Sequence, residues 1–450
     1  MGPDLCYRDG LLVQVQPCVN AQPAPPESNR TCSAMSDPGH TPPTRRSAAL
    51  GFIFITIVLD VLAMGIIIPV MPRLIEGFMD GQQADAVRMG SLLALIWAVM
   101  QFICAPILGA LSDRFGRRPV LLLSMTGLGL DYVLMALAPS LAWLIIGRAL
   151  SGMTAASFST ANAYIADITP PERRAAAYGM TGAAFGIGFV LGPLLGGITG
   201  SMDPRLPFWI AAGLCLFNAV YGYFVLPESL PPERRTKTFS LQRANPVASL
   251  SFLSATPQLF ALAGAQFLYG LSHNVYPTVF NWFVTYRYGW NEIMISYALA
   301  AVGIANIIVQ GGLTGRVVKR IGERKSIILG LSCGIAGFVI YALAPTGNWI
   351  WFAIPVAAMW GFYAPAAQSL MSQRVDPSEQ GRLQGALGSM NGIAFIVAPL
   401  LYPQVFAIAL DARHALGDWP ILGAPFFLAA ILLGLALVLA GRATAPRNPG

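Results

Sequence analysis

The chain of 450 residues is 55% hydrophobic and only 11% charged, where a soluble domain carries roughly a quarter charged residues. That balance excludes an ordinary soluble enzyme and reads as an integral membrane protein. The formal charge of +7 would suit a nucleic-acid binder, but the placement of the positive residues argues against one.

Residues 1–47 are rich in Pro, Ser and Asn, lack apolar periodicity and read as a disordered tail. No short apolar core with a small-residue cleavage site precedes Ala48, so the tail resembles neither a signal nor a transit peptide, and Met35 offers a second start. From Ala48 onward, apolar stretches of the roughly 20 residues needed to cross hydrocarbon as helix recur along the chain. Twelve are predicted, beginning near Ala48, Met89, Val120, Leu141, Ala176, Pro207, Thr256, Ile293, Ser326, Trp349, Leu383 and Pro420. They divide the chain into a six-helix lobe over 48–226, a cytoplasmic linker over 227–255, a second six-helix lobe over 256–441 and a tail over 442–450. With the N-terminus inside, 22 of the 28 Lys and Arg fall in the tails and in loops on that side. Arg73, Arg88, Arg205, Arg287 and Arg413 fall on the other side and Arg148 within a span, an asymmetry that puts both termini in the cytoplasm. Cys104, Cys215 and Cys333 lie in spans and Cys6, Cys18 and Cys32 in the cytoplasmic tail, so no disulfide framework is expected.

The first span carries Asp60, and a carboxylate in hydrocarbon costs several kcal/mol unless it is protonated, paired or wet. Gln101 in the second span suits either a cavity wall or a bond to a neighbouring helix. The turn between the second and third spans, Gly109 to Pro119, concentrates Asp113, Arg114, Arg117 and Arg118 around Gly109 and Gly116, glycines that permit a tight turn. The third and fourth spans form a hairpin over Ala138-Pro139-Ser140-Leu141. Asp131 precedes that turn by about as much as Arg148 follows it, so antiparallel packing brings them to one depth. A guanidinium that stays charged and a desolvated carboxylate oppose one another in setting proton affinity, which suits a proton site as well as a structural ion pair. Gly188, Gly192, Pro193, Gly196 and Gly197 in the fifth span allow close backbone approach and a kink.

The second half repeats the first. Gly315 to Lys325 matches the turn at Gly109 at an offset of 206 residues, with Lys319 in place of Asp113, and Ala398-Pro399 echoes Gly192-Pro193. A duplicated six-helix unit is a transporter architecture. Polar residues in the second-half spans are mostly uncharged, among them Gln266, His273, Asn274, Asn306, Gln310 and Asn391. Of these, His273 is able to titrate near neutral pH, or to serve as a hydrated or hydrogen-bonded histidine.

The pattern G-x-x-x-D-R-x-G-R-R at Gly109 to Arg118 resembles the loop between the second and third helices of major facilitator superfamily transporters. Leu144 to Ala156 around Arg148 resembles that superfamily's fourth-helix motif, with Ser151 where Gln is usual. G-x-x-x-G-P-x-x-G-G at Gly188 to Gly197 resembles the motif of members that exchange drug for protons. More narrowly, Leu59-Asp60 to Pro72, Leu93 to Gln101, Leu130-Asp131-Tyr132, Gly147-Arg148 and Tyr288 to Asn291 resemble the tetracycline-efflux group. The resemblance implies an all-α membrane protein of twelve helices in two pseudo-symmetric lobes. It implies drug–proton exchange that depends on Asp60, Asp131 and Arg148. The group's additional ninth-helix acid aligns with Gly334, so a metal-chelated tetracycline is expected to be a poor substrate, and Gly334→Asp is expected to shift the protein toward it where the surrounding pocket tolerates the bulk.

The function read from these residues is a proton-coupled antiporter exporting a hydrophobic or cationic small molecule. Gln101, His273, Asn274, Asn306 and Gln310 are assigned to the substrate cavity. Gly109, Asp113, Arg114, Gly116, Arg117 and Arg118 form a conformational gate, and the fifth-span glycines with Pro193 a hinge or packing face. The expected partners are substrate, protons and lipid, with the chain acting as a monomer in the inner membrane and no nucleic acid bound. No cofactor or metal is expected, since neither H-E-x-x-H nor a nucleotide-binding glycine loop occurs. A metabolite symporter or a non-transporting sensor of the same fold stands as the alternative, separable by the direction of proton-driven flux.

Overall fold

The computed structural model describes residues 6–8, 11–13, 43–79, 82–155, 157–170, 174–236, 248–254, 256–376, 379–416 and 421–444. Two compact units are present, residues 1–43 and 44–450. In the first, Cys6–Arg8 pairs antiparallel with Leu11–Val13, Tyr7 opposite Leu12. The sequence reading places no strand there, although Asp9-Gly10 between Cys6-Tyr7-Arg8 and the apolar Leu11-Leu12-Val13 is a hairpin signal. The rest of the expected disordered tail before Pro43, the middle of the expected linker and the end of the expected C-terminal tail lie outside the described residues.

Among the described residues, every regular element of the second unit is a helix. Among the described residues, ten helical runs are long and apolar enough to cross a bilayer. One of them, Glu292–Leu343, is 52 residues long and breaks at Gly322 (φ 78°), so it crosses twice, as the eighth and ninth spans. The seventh span is Pro257–His273 continued through a π turn, Tyr276–Phe280, into Asn281–Tyr288, and it brings the crossings to twelve. Pro277 explains that break, because it removes one helical donor and crowds the preceding turn. The first span is Pro43–Ile67, entering the helix before the expected Ala48. The second to sixth are Gln83–Phe115, Arg117–Leu137, Leu141–Thr154 with Ser157–Ile168, Arg174–Met202 and Leu206–Val225. The tenth runs from Asn348–Ala358 to Tyr363–Ser372, the eleventh is Gln380–Leu416 and the twelfth Ala424–Ala443.

The duplication is visible in the backbone. Gly116 (φ 109°, ψ 160°) and Gly322 (φ 78°, ψ 164°) stand 206 residues apart, each turning one span into the next in a region that only glycine enters without strain. Ala138 and Ala344, at the same offset, end the third and ninth spans with nearly equal dihedrals (φ −54°, ψ 118° and φ −55°, ψ 113°). Between the halves the second span packs on the eleventh and the fifth on the eighth. At these seams a Cβ on Gly392 would come within 2.6 Å of Phe102, and one on Gly303 within 2.7 Å of Val190.

Candidate functional site: an acid–arginine cluster in the first lobe

The hairpin of the third and fourth spans brings Asp131 and Arg148 together. Arg148 Nη2 donates to Asp131 Oδ2 at 3.2 Å, and Asp131 is wholly buried while Arg148 is 16% exposed. Gly147 makes the approach possible, because a Cβ there would stand 2.6 Å from Asp131 Oδ1. Ser151, one turn beyond Gly147, is a second polar neighbour of the carboxylate, and Arg148 also contacts Met135 Sδ at 3.0 Å. Asp60 has Ser157 and Asn218 as polar neighbours. Asn218 is itself held to the first span by reciprocal bonds with Thr56, both 3.3 Å. Asp60 Oδ1, Asp131 Oδ1 and Arg148 Nε are buried without a hydrogen-bond partner, so the cluster holds spare capacity for a proton, water or substrate group. Tyr132 and Cys215 each lie within electrostatic reach of both Asp60 and Asp131, so the two acids share one neighbourhood of the first lobe, each with its own polar partners.

The second lobe lacks this charge. At the 206-residue offset Asp60 corresponds to Gln266, whose Oε1 is also buried and unpartnered, while Asp131 and Arg148 correspond to Gly337 and Ile354. The sequence reading notes Gln266 without assigning it to the site; applying the repeat offset to Asp60 finds it. Of the predicted cavity residues, His273 is open to solvent although surrounded by protein, with its ring stacked on Trp360 at 4.5 Å. Gln310 is exposed in the π turn Ile307–Leu313, Asn306 just before it has a buried, unpartnered Oδ1, and Gln101 is partly accessible. Asn274 departs from expectation: it is 4% exposed and its amide donates to Gly270 O at 2.8 Å, closing the break in the seventh span instead of facing a cavity. A cavity of about 440 Å³ lined by Leu50, Gly51, Phe54 and Met180 touches none of the predicted residues.

The fifth-span glycines form a close-packed face. A Cβ on Gly188 would lie 2.8 Å from Val61 Cβ, one on Gly192 2.7 Å from Leu62 O, and Gly196 sits directly on Ile66 O. Gly65 of the first span returns the fit against Pro193, at 3.0 Å. Gly197 points the other way, where a Cβ would lie 2.6 Å from Glu292 O of the eighth span, so the fifth span is wedged between the Asp60 helix and the opposite lobe.

The turn at Gly116 is a dense polar knot. Arg117 pairs with Asp113 (2.5 Å) and Asp167 (3.1 Å), and Ser229 Oγ also donates to Asp167 at 3.0 Å. Glu228, which reads from the sequence as linker, accepts from the backbone N–H of Arg117 (2.9 Å), Arg118 (3.3 Å), Ser229 and Leu230 (both 3.0 Å). It caps the third span where Gly116 leaves room, since a side chain at Gly116 would strike its carboxylate. Arg118 Nη2 reaches Tyr223 O at 2.5 Å, Arg114 stacks over Phe115 at 5.2 Å, and Thr236 N donates to Asp113 O at 3.1 Å. In this state the partners found for the expected gate residues Asp113, Arg114, Arg117 and Arg118 lie in the first lobe and at the start of the linker. A Cβ on Gly109 would meet nothing within 4 Å, so close packing does not account for that glycine.

Residues 53–399 match the Major Facilitator Superfamily. The chain belongs to that superfamily. It is 39% identical over 386 residues to the class C tetracycline resistance protein of Escherichia coli, covering 85% of this chain and 95% of the relative. It is 34% identical to the class B protein of Escherichia coli, covering 86% and 94%. Its fold is similar to that of a bacterial homologue of the human lysosomal transporter Spinster, with a TM-score of 0.70 at 18% identity over 90% of this chain and 98% of that one. These relatives and the match to the superfamily make the chain a multi-pass membrane transporter of small molecules similar to tetracycline resistance proteins, the group its motifs resemble.

Proposed function

We propose that this transporter exports a hydrophobic, cationic drug-like molecule in exchange for protons, as a monomer in the inner membrane with both termini in the cytoplasm. The observation that carries the reading is the buried Asp131–Arg148 pair beside Asp60, the one charged cluster among the described residues of the lobe interiors. Asp60 offers a substrate cation a negative partner, and Asp131 holds its proton-binding group against a fixed positive charge. Protonation in this cluster withdraws the charge that retains the substrate, so uptake of one favours release of the other. Exposed His273 and Gln310, with half-buried Asn306, supply polar contacts from the second lobe.

Weak tetracycline export is part of the proposal. Gly334 is buried, and a Cβ there would lie 2.9 Å from Leu433 and 3.3 Å from Trp360, so this position supplies no acid and has no room for one. The test is growth of drug-susceptible cells expressing the protein on a panel of hydrophobic monocations and tetracycline. Protection against the cations supports the reading; strong magnesium-dependent tetracycline export alone contradicts the substrate assignment.

A further inference from the structure

Two carbonyls at the end of the bundle opposite the Gly116 turn, one freed by a proline within a helix and one in a turn, are filled from the other lobe. A proline withholds the N–H that would serve the carbonyl four residues earlier. Ile68 O lies in the turn between the first span and the short helix Met71–Glu76, outside any helical ladder, and Asn281 Nδ2 of the seventh span donates to it at 2.7 Å. Pro403 leaves Pro399 O open within the eleventh span, and Ser91 Oγ of the second span, 4% exposed, donates to it. The arrangement is reciprocal, each lobe supplying the side chain that satisfies the other's backbone. Three further contacts cross the same seam: Arg73–Glu292 at 3.0 Å, Arg88–Asp411 at 2.7 Å, and Tyr286 with Glu76.

We infer that Ser91, seated on the carbonyl freed by Pro403, and Asn281, seated on the turn carbonyl of Ile68, are the positioning residues of the outer gate. They set the balance between the state shut to the outside and the state that releases substrate there. The inference rests on the membrane orientation proposed above. A carbonyl withdrawn from water must be paired, so the closed seam favours these bonds, most strongly the buried one from Ser91 and less so the half-buried one from Asn281. Once the seam parts, external water takes over both carbonyls, so the latch opens at small cost. The exposed ion pairs add little to its strength but align the lobes: Arg73 and Arg88 stand on the first lobe, Glu292 and Asp411 on the second.

Ser296 reports the opening, being 1% exposed beneath Gly197 at the neighbouring seam. Full-length protein carrying Ser296→Cys is reconstituted and treated with a membrane-impermeant thiol reagent from the outer face, with the parent protein as blank. Ser91→Ala and Asn281→Ala are each expected to raise the labelling rate about threefold, and about tenfold together. Pro403→Ala returns the missing N–H to Pro399 O, so Ser91→Ala should have no further effect in that background. An independent, undiminished effect of Ser91→Ala there would reduce Ser91 to ordinary packing and overturn the inference, as would unchanged labelling in both single variants. Melting temperatures of all variants separate gate opening from unfolding. Labelling needs no substrate, so the latch and the antiport reading fail separately: absent exchange with altered labelling sinks only the latter.

Discussion

Replacing Asp131 by asparagine removes one charge from a pair in which the acid is fully buried and the arginine 16% exposed, at 3.2 Å. Removing one partner of a buried pair typically costs about 3–5 kcal/mol, because the other charge is left desolvated. Asparagine keeps an oxygen that can accept from Arg148, and Arg148 has some access to water, so a loss of about 2 kcal/mol is expected. The double variant Asp131→Leu/Arg148→Met removes both charges and should recover most of that stability, since apolar replacements of a buried pair are often neutral. Neither variant should exchange protons for substrate. Thermal unfolding in detergent measures the first effect, and substrate-driven proton flux in proteoliposomes the second. Full exchange by the stable double variant would show that the pair only holds two helices together and would refute its role in coupling.

Gly192→Ala presses a methyl onto Leu62 O and Gly65 and should cost about 1–3 kcal/mol in thermal unfolding, whereas Gly182→Ala, with open space around it, should be silent. Gly334→Asp should lower folded yield by wedging an acid between Leu433 and Trp360; a well-folded variant with new tetracycline export would contradict that packing argument. Glu228→Gln keeps an oxygen for the Arg117 and Arg118 amides and should transport nearly as the parent, while Glu228→Ala should slow turnover without weakening equilibrium substrate binding. Asp113→Asn, which loses the Arg117 contact, should likewise lower turnover and spare binding; loss of binding would instead make the turn part of the substrate site.

The crossings, the duplication and the acid–arginine pair are legible in the sequence because each follows from spacing: helix length from apolar runs, the repeat from an offset, the pair from equal distances about a hairpin turn. What escapes it depends on helix rotation and on contacts between distant segments. Asn274 and Gly334 sit in the right spans, but nothing in a single sequence says which face of the helix meets the cavity. Glu228 reads as linker because its partners are backbone amides 110 residues earlier, which leave no side-chain signature. The open carbonyl behind Ser91 is written in Pro403, yet only the packed lobes show what fills it and what meets the turn carbonyl of Ile68. The exchange of Asp60 for Gln266 at the repeat offset is visible in the sequence and marks where the two lobes diverge in charge.

If protons drive export through the Asp60, Asp131 and Arg148 cluster, substrate and proton must move in opposite directions and stop together when the cluster is altered. Proton flux from proteoliposomes of the full chain, recorded with a pH-sensitive dye when a hydrophobic monocation such as ethidium is added, measures this. The expected result is proton movement opposite to the cation, abolished in Asp131→Asn at matched reconstitution. Proton and cation moving in the same direction, or cation movement indifferent to the gradient, would contradict it.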